Sequence, residues 1–258
     1  MHIITLTTDF GTRDWFVGTM KGVILGIAPR AEVVDLTHEI PPGDIRAGAF
    51  ALAAACRFFP KGTVHVALVD PGVGGTRRAI VVQTTKYIFV GPDNGVLSWA
   101  LANEKIKSVH RLENSNYFLR PVSRTFHGRD IFAPVAAHLC RGTPIRKLGP
   151  AQNDFVRLPW PQPRVRKDRI DGEVVFIDRF GNAITNIANL SLKPRGQLEV
   201  FLGRTRLCSV GTFYQSVRAG KAVAVPGSSG FLEIAVNGGS AATQFGLHAG
   251  TAVSVSRS

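Results

Sequence analysis

Two carboxylates follow the first apolar segment of the chain and have the chemistry of a polyol clamp. Residues 2–8 (HIITLTT) are typical of a buried strand, and the six residues after them, DFGTRD, include Asp9 and Asp14. A carboxylate presents two acceptor oxygens, so it can bind both vicinal hydroxyls of a ribose. The same positions suit a turn former at Asp9 and a helix N-cap at Asp14. Spacing alone favours these structural roles, and the clamp stands beside them as the functional alternative.

A glycine-rich loop follows the apolar segment 63–69 and lies between an acidic and a basic residue. It reads DPGVGGTR from Asp70 to Arg77, with three glycines in four residues. A turn needs fewer glycines, and the excess suggests that the backbone approaches a ligand closely. The loop is not the GxGxxG fingerprint, and alone it is weak evidence for a nucleotide. It is therefore a candidate ligand contact whose ligand the pattern leaves open.

A histidine stands just before a helical segment, as His127 in the sequence TFHGRD. Loops at the carboxyl ends of strands carry the chemistry of α/β domains, so this segment is considered together with the two above. A single histidine is more often structural than catalytic, and the chain has seven. His127 is therefore a candidate side chain without an assigned role at this point.

Polar and aromatic residues crowd the end of a strand-like segment in the C-terminal part of the chain. The stretch FIDRFGNAITN contains Asp178, Phe180 and Asn182. Polar groups are costly to bury without partners, so these side chains either face solvent or meet a ligand. An asparagine amide offers a donor and an acceptor side by side, which suits adenine, and Phe180 or Phe213 offers a stacking face.

A second polar feature of this part is the stretch GSSGFLEIAVNGG, which begins at Gly227. Its simplest interpretation is a β-hairpin with Ser228 in the turn. Glu233, however, falls within the apolar run FLEIAV, where a charged side chain normally needs a partner. The stretch is therefore both a strand prediction and a candidate binding segment.

The elements that carry the first three segments alternate between strand and helix patterns. One helix is predicted from Phe16 to Ile27, and a second is predicted after Asp44, which can cap it. Pro29 and Pro60 limit these two helices at their C-terminal ends. Further strands and short helices are predicted at 31–36, 63–69, 79–85, 87–90, 96–102 and 131–140. This alternation predicts an α/β sheet domain.

The pattern changes after LPWPQPRVRK (158–167), a Pro-rich and basic segment with neither strand nor helix periodicity. From Gly172 onward, the predicted short strands are EVVFI, QLEVFL, AVAV, FLEIAV and AVSVS, separated by Gly, Ser and Asn turns, with room for one brief helix at 241–245. This composition predicts a small β-rich, barrel-like domain. The predicted division is an N-terminal α/β domain (1–157), a linker (158–169) and a C-terminal β-rich domain (170–258).

Composition is that of a cytoplasmic globular protein. The 258 residues are 45% apolar, with no run approaching the roughly 18 to 20 apolar residues of a membrane span. The N-terminal sequence MHIITLTTDFG has no basic region and predicts no secretory signal. Cys56, Cys140 and Cys208 are odd in number and lack CxxC spacing, so we interpret them as reduced core residues, and no metal site is expected.

The net charge of +13 suggests a partner that carries phosphates, and nucleic acid is the natural alternative to a small molecule. The basic residues are scattered along the chain. The densest run, within 164–169, lies in the Pro-rich stretch and has no recognisable nucleic-acid motif around it. An RNA-binding protein that senses a nucleoside therefore remains a competing hypothesis.

Taken together and in order, the five segments resemble the S-adenosyl-L-methionine hydroxide adenosyltransferases, hydrolases that form adenosine. The resemblance runs from TTDFG to LEIAVN, over essentially the whole chain. It implies an Asp, an Arg and a His around the attacking water, matched by Asp70, Arg77 and His127. The related fluorinating and chlorinating enzymes have Tyr in place of Asp70, and Trp in the loop where this chain has Gly43. Both differences argue against halide chemistry.

The resemblance also implies how the substrate is bound, with no cofactor, because S-adenosyl-L-methionine is itself the substrate. The implied contacts are Asp9, with Asp14 nearby, for the ribose; Asn182, the backbone from Val236 to Gly238, and Phe213 for adenine; and Asp178, Ser228 and Glu233 for the methionine end. The halogenases have Arg where this chain has Ser229, which leaves open what binds the methionine carboxylate. The family fold, an α/β domain followed by a small β-barrel, agrees with the pattern above, and the family forms homotrimers with sites shared between subunits.

Overall fold

The N-terminal part of the molecule is organised around a seven-stranded mixed sheet. The computed structural model describes residues 3–192 and 197–257, and the chain divides into two compact units, Met1–Pro159 and Trp160–Ser258. The strands of the first unit are β1 (Ile3–Thr8), β2 (Glu32–Thr37), β3 (Val64–Leu68), β4 (Ala79–Thr84), β5 (Ile88–Pro92), β6 (Ile106–Arg111) and β7 (Ala151–Gln152). Their order is β2-β1-β3-β5-β4-β6-β7. Residue 2 of the predicted first strand lies outside the described residues.

Parallel pairing brings two of the candidate segments together. The strands β2, β1, β3 and β5 run parallel, so their carboxyl ends share one edge of the sheet. Thr8, at the end of β1, is level with Leu68, at the end of β3. The chain segments that carry Asp9 and Asp70 therefore begin side by side, in the position where open α/β sheets bind ligands.

The helices of this unit are α1 (Phe16–Ile27), α2 (Ile45–Cys56), α3 (Ser98–Leu101) and α4 (Ala133–Cys140). Helix α1 packs against α4, and α2 packs against α3. Leu6 of β1 and Val66 of β3 belong to one buried cluster with Met20 of α1 and Val135 of α4. Side chains alternate between the faces of a strand, so α1 and α4 cover the face to which Leu6 and Val66 point.

The opposite face of β1 and β3 contains a buried threonine–histidine pair. Thr5 Oγ1 lies 2.7 Å from His65 Nδ1, and the imidazole stacks on Phe89 with ring centres 5.2 Å apart. Burial lowers the pKa of His65 to about 4, so this ring is neutral at neutral pH. The pair is a structural part of the core.

Two predicted helix starts have different outcomes. Asp44 caps α2, as predicted, with Oδ1 accepting a hydrogen bond from the Ala47 amide at 2.9 Å. The predicted cap at Asp14 is wrong, because α1 begins at Phe16 with Trp15 as its N-cap residue and with no side-chain cap. Asp14 therefore lies one position too early to cap, and its side chain is exposed.

The second unit is a nearly closed barrel-like sheet. Its strands are β8 (Arg164–Val165), β9 (Arg169–Ile177), β10 (Ala183–Ala188), β11 (Leu198–Leu202), β12 (Thr205–Ser209), β13 (Ala222–Pro226), β14 (Phe231–Val236) and β15 (Ala252–Arg257). The main order is β12-β11-β15-β9-β10-β14-β13, with β8 paired to β9. A bridge between Val210 and Ala224 joins the two ends of this order. The predicted fold class, α/β followed by a barrel-like β region, is confirmed.

The sequence patterns described this second unit incompletely. The brief helix predicted at 241–245 is present as α5 (Ala241–Phe245), capped by Ser240. Strand β8 forms inside the segment interpreted as a linker, because 164–165 pair with 170–171. Cys56, Cys140 and Cys208 are free and buried, as predicted. Within residues 3–192 and 197–257, none of the helices has the length and apolarity of a membrane span.

Candidate active site

A cavity of about 390 Å³ opens at the carboxyl edge of the N-terminal sheet. Its lining includes three predicted side chains, Asp9, Asp70 and His127, together with Phe10, Phe16, Gly43, Leu68, Pro71, Val73, Thr125, Phe126, Gly128 and Phe132. Arg77 and Asp14 are not part of this lining. The cavity is mostly apolar, and its polar groups come from three different loops.

Asp70, Arg77 and His127 form one hydrogen-bonded unit. Arg77 Nε lies 3.0 Å from both Asp70 carboxylate oxygens, and Arg77 Nη2 lies 2.5 Å from Oδ2. The same Nη2 lies 2.7 Å from His127 Nδ1. Arg77 also stacks over Phe132, with its guanidinium carbon 5.4 Å from the ring centre. The arginine therefore stands behind the other two side chains and fixes both of them toward the cavity.

The proton positions of His127 follow from this geometry. A guanidinium group only donates, so Nδ1 must accept from Arg77 and the neutral ring has its proton on Nε2. Burial, followed by the positive charge of Arg77, lowers the pKa of His127 below its usual value of 6.5, although Asp70 and Asp130 oppose this shift. His127 is therefore neutral at neutral pH and acts as a donor through Nε2–H.

The loop that carries Asp70 is in backbone contact with the segment that carries His127. Gly74 has a φ of 75°, which favours glycine, and a Cβ at this position would overlap the carbonyl group of Arg124. The second and third glycines of this loop are adjacent, and Gly74 is the one that the packing requires. The glycine-rich pattern therefore reflects contact between two loops of the site.

Asp130, a buried carboxylate that sequence reasoning missed, holds the segment around His127 through hydrogen bonds to residues on both sides of it. Asp130 is fully buried, accepts a hydrogen bond from the Ser123 amide at 2.8 Å, and is paired with Arg129. Burial would raise the pKa of Asp130, but the hydrogen bonds from Arg129 and Ser123 lower it overall. His127 leads into a π-helical turn, Gly128–Phe132, ahead of α4. Such turns are frequent at functional sites. The sequence HGRD, which places Asp130 three residues after His127, was the signal that could have identified this carboxylate.

Asp9 is held at the mouth of the N-terminal cavity. Its Oδ2 accepts a hydrogen bond from the Gly43 amide at 2.8 Å, which leaves Oδ1 and further lone pairs for a ligand. Gly43 has a φ of 75° and approaches Pro71. The predicted neighbour Asp14 is exposed and does not line the cavity, so of these two carboxylates only Asp9 faces it.

A second cavity, of about 690 Å³, lies within the C-terminal unit. Seven predicted residues line it: Asp178, Phe180, Asn182, Ser228, Glu233, Val236 and Gly238. Phe213 does not, and its side chain is exposed, whereas the adjacent Tyr214 does line the cavity. Sequence reasoning selected Phe213 as a stacking ring for adenine and missed Tyr214.

The carboxylates of the second cavity are held by neighbouring groups. Asp178 Oδ1 accepts from the amides of Phe180 and Asn182, and Oδ2 accepts from the Asn182 side chain at 3.0 Å. The partner that Glu233 requires is Tyr214, whose hydroxyl donates to Oε1 at 2.6 Å. The lining residues of this cavity include these two acids but no Lys, Arg or His. In a chain of net charge +13, this cavity suits a cationic group.

Burial raises the pKa of Glu233, as does the nearby charge of Asp178, while the hydrogen bond from Tyr214 opposes the rise. The same hydrogen bond, with burial, raises the pKa of Tyr214 to about 12. The phenol is therefore a donor at neutral pH. Among the residues that the structure describes, no three His, Cys, Asp or Glu side chains are grouped closely enough to hold a metal ion.

Comparison with known proteins gives a consistent result. Residues 4–149 match the SAM hydroxide adenosyltransferase N-terminal domain, and residues 172–254 match its C-terminal domain. An (R)-S-adenosyl-L-methionine hydrolase from Salinispora tropica is 41% identical over 96% of this chain and 95% of its own length. A fluorinase from an Actinoplanes species is 29% identical over 99% and 97%.

A solved structure supports the same relationship. The crystal structure of an uncharacterized conserved protein from Thermotoga maritima has a TM-score of 0.92 and 38% identity to this chain, with 99% of this chain and 100% of that one covered. Sequence and fold thus agree over both units. The chain belongs to the SAM hydroxide adenosyltransferase family.

Proposed function

We propose that the protein hydrolyses S-adenosyl-L-methionine at C5′ of the ribose and releases adenosine and L-methionine. The observation that carries this proposal is the Asp70, Arg77 and His127 unit, which presents a carboxylate and a neutral imidazole to a cavity that also contains Asp9. Relatives named as hydrolases of this substrate are more similar to the chain than the fluorinase is, at 41% against 29% identity.

The proposed mechanism is direct attack by water. The sulfonium makes methionine a neutral leaving group, so C5′ is electrophilic and needs only a nucleophile held in line. Asp70 retains free lone pairs and accepts the proton of water as the C5′–O bond forms and the C5′–S bond breaks. His127 already accepts from Arg77, so its Nε2–H donates to the attacking oxygen. Arg77 holds both groups, and the reaction requires no cofactor.

Substrate binding in this proposal uses the predicted residues of both cavities. Asp9 binds the ribose hydroxyls, while Asn182 and the backbone from Val236 to Gly238 bind adenine. The acidic cavity with Asp178 and Glu233 receives the cationic methionine end. Because the protein is strongly basic and the substrate carries a sulfonium, these local carboxylates supply the attraction that the overall charge does not.

Heavy-oxygen water tests the reaction. In a single turnover with unlabelled enzyme, direct attack places the heavy atom in the 5′-hydroxyl of adenosine and none in methionine. An ester formed at Asp70 would instead give unlabelled adenosine and a labelled Asp70 peptide, which would contradict the direct mechanism while leaving hydrolysis intact. No adenosine at all, with salt-dependent RNA binding, would support the nucleoside-sensing alternative. A 5′-halogenated product would support the halogenase.

Replacement of Asp9 by Ala is expected to weaken binding more than catalysis. Loss of the clamp leaves two ribose hydroxyls without an acceptor, at a cost of about 1 to 3 kcal/mol. KM for S-adenosyl-L-methionine and the calorimetric Kd for adenosine should both rise, with little change in kcat. Asp14→Ala is the matched control, since its exposed carboxylate lies outside the cavity. Unchanged adenosine affinity in the Asp9 variant would remove this residue from the ribose site.

We further propose a cytoplasmic homotrimer in which each site is shared by two subunits. The support is the family resemblance and the division of the ligand-binding residues between two structural units. Light scattering at working concentration should give three times the 27.8 kDa chain mass. A fully active monomer would rule out the shared site.

A further inference from the structure

A buried histidine outside the catalytic unit contacts the turn that carries Asp9. His38 Nδ1 lies 2.8 Å from the hydroxyl of Thr8, the residue before Asp9. The backbone carbonyl of His38 also accepts a hydrogen bond from the Gly11 amide at 2.8 Å. The side chain of His38 is only 3% exposed, and neither His38 nor Thr8 lines the cavity. His38 therefore contacts this turn on both sides of Asp9 without reaching the ligand space.

A β-bulge brings His38 to this position. Leu6 of β1 pairs with Asp35 of β2, but the next residue, Thr7, pairs with Thr37. Leu36 is thus an extra residue on β2, and the shift makes His38 level with Thr8. Without the bulge, His38 would lie one position beyond the end of β1. Bulges of this kind redirect side chains next to active sites.

The hydrogen bonds among Phe10, Thr8 and His38 show which group donates and which accepts. The Thr8 hydroxyl oxygen accepts from the Phe10 amide at 3.2 Å, so its proton is free to donate to His38 Nδ1. On the other side of the ring, His38 Nε2 lies 3.0 Å from Asp35 Oδ1, a short contact outside the geometry of a linear hydrogen bond. Asp35 is also paired with Lys21 at 2.6 Å. The anionic carboxylate keeps the ring proton on Nε2, and Nδ1 remains an acceptor.

We propose that His38 is a positioning residue for ribose recognition, because it fixes the Thr8 hydroxyl and thereby the turn that presents Asp9 and Phe10 to the cavity. The proposal rests on the function proposed above for Asp9. A threonine hydroxyl that accepts from the amide two residues later closes a tight turn. Removing its acceptor lets the hydroxyl rotate and loosens that turn, so the geometry of the clamp degrades although Asp9 itself is intact.

The protein contains a matched control on the same strand. Thr5 and His65 form the same kind of buried hydroxyl–imidazole contact, at 2.7 Å, but on the face of β1 opposite to Leu6 and away from the turn. Substitutions in this pair should cost stability for the same reasons as substitutions of Thr8 and His38. They should not alter ligand affinity, because neither residue contacts the Asp9 turn.

The test is a double-mutant cycle with adenosine as the ligand. In Thr8→Val and in His38→Phe, the calorimetric Kd for adenosine and KM should each rise about tenfold, with kcat at saturation changed less than about twofold. The double variant should bind adenosine no more weakly than the weaker-binding single variant, because both substitutions break the same chain of hydrogen bonds. Thr8→Ser keeps the hydroxyl and should retain wild-type affinity. Thr5→Val and His65→Phe should lower Tm and leave Kd unchanged.

Unchanged adenosine affinity in a folded Thr8→Val variant would overturn the inference even if His38→Phe fails to fold. Additive losses of adenosine affinity in the cycle, or equal losses of affinity in the Thr5 and His65 variants, would mean that His38 only stabilises the fold. Either result would also overturn the inference. The readout is distinct from the proposed function, because adenosine binding is measured without turnover. Failure of the wild-type protein to release adenosine from S-adenosyl-L-methionine would instead count against the hydrolase.

Discussion

Replacement of Asp70 by Asn is expected to lower kcat by about 10² to 10⁴ while KM changes little. The Asn side chain has the same size as Asp but does not act as a base. Arg77 now donates hydrogen bonds to both carboxylate oxygens, and in the variant one of these donors would face the NH₂ group instead. Water would then lose both its orienting acceptor and its base. Single-turnover release of adenosine, measured by chromatography, gives the rate of the chemical step.

The control for this substitution is Asp154→Asn. Asp154 is also paired with an arginine, Arg78, at 3.0 Å, but its side chain is 77% exposed and lies outside the cavity. Exposed ion pairs contribute little, so kcat should not change. An Asp70→Asn protein that keeps its adenosine affinity and more than one tenth of the wild-type rate would exclude Asp70 as the base.

Replacement of Arg77 by Met is expected to lower kcat about 10²-fold or more and to raise the pKa of His127. Asp70 and His127 share Arg77 as their donor, so both lose their orientation. The pKa of His127 is held below 6.5 first by burial and then by the Arg77 charge. The Arg77–His127 hydrogen bond needs an unprotonated Nδ1, so in the wild-type protein it is lost as the pH drops through this pKa. Without the positive charge the pKa of His127 rises, and the ring becomes protonated at a higher pH than in the wild type.

Arg77→Lys separates charge from geometry. Lysine keeps the positive charge but lacks the planar fork that reaches a carboxylate and an imidazole together. This variant should lose rate and keep the pKa of His127 near its wild-type value. NMR titration of the His127 ring measures this pKa without turnover. If the His127 pKa did not change in Arg77→Met, the coupling between these two side chains would be rejected.

Sequence patterns predicted the elements that have one dominant local signal. Helix α1 has apolar residues at helical spacing, and α2 has its cap at Asp44, so both were found. Strands β10 and β12 were not, because the first begins in a polar turn and the second, TRLCS, has mixed polarity and an exposed edge. β12 pairs with the neighbouring strand β11, and β10 pairs with the neighbouring β9 and the more distant β14, and this pairing rather than the local pattern decides their conformation.

The candidate site shows the same division. Motif resemblance selected Asp70, Arg77 and His127, which the structure brings into contact. It did not select Tyr214 or His38. Tyr214 has its role because it donates to the buried Glu233, and His38 has its role because a bulge in β2 brings it level with Thr8. Glu233 signalled that a partner was needed, but only the fold identifies the phenol. Side chains that act through another residue have no motif of their own.

The contact between Gly74 and the Arg124 carbonyl has a thermodynamic consequence. Because backbone meets backbone there, the loop of Asp70 and Arg77 and the segment of His127 are held together by the protein's own contacts, without a contribution from substrate. Electrostatic preorganisation of this kind keeps the reorganisation energy of the transition state low. The free energy of substrate binding is then not diverted into assembling the catalytic groups, and it remains available to hold C5′ in line with the attacking oxygen.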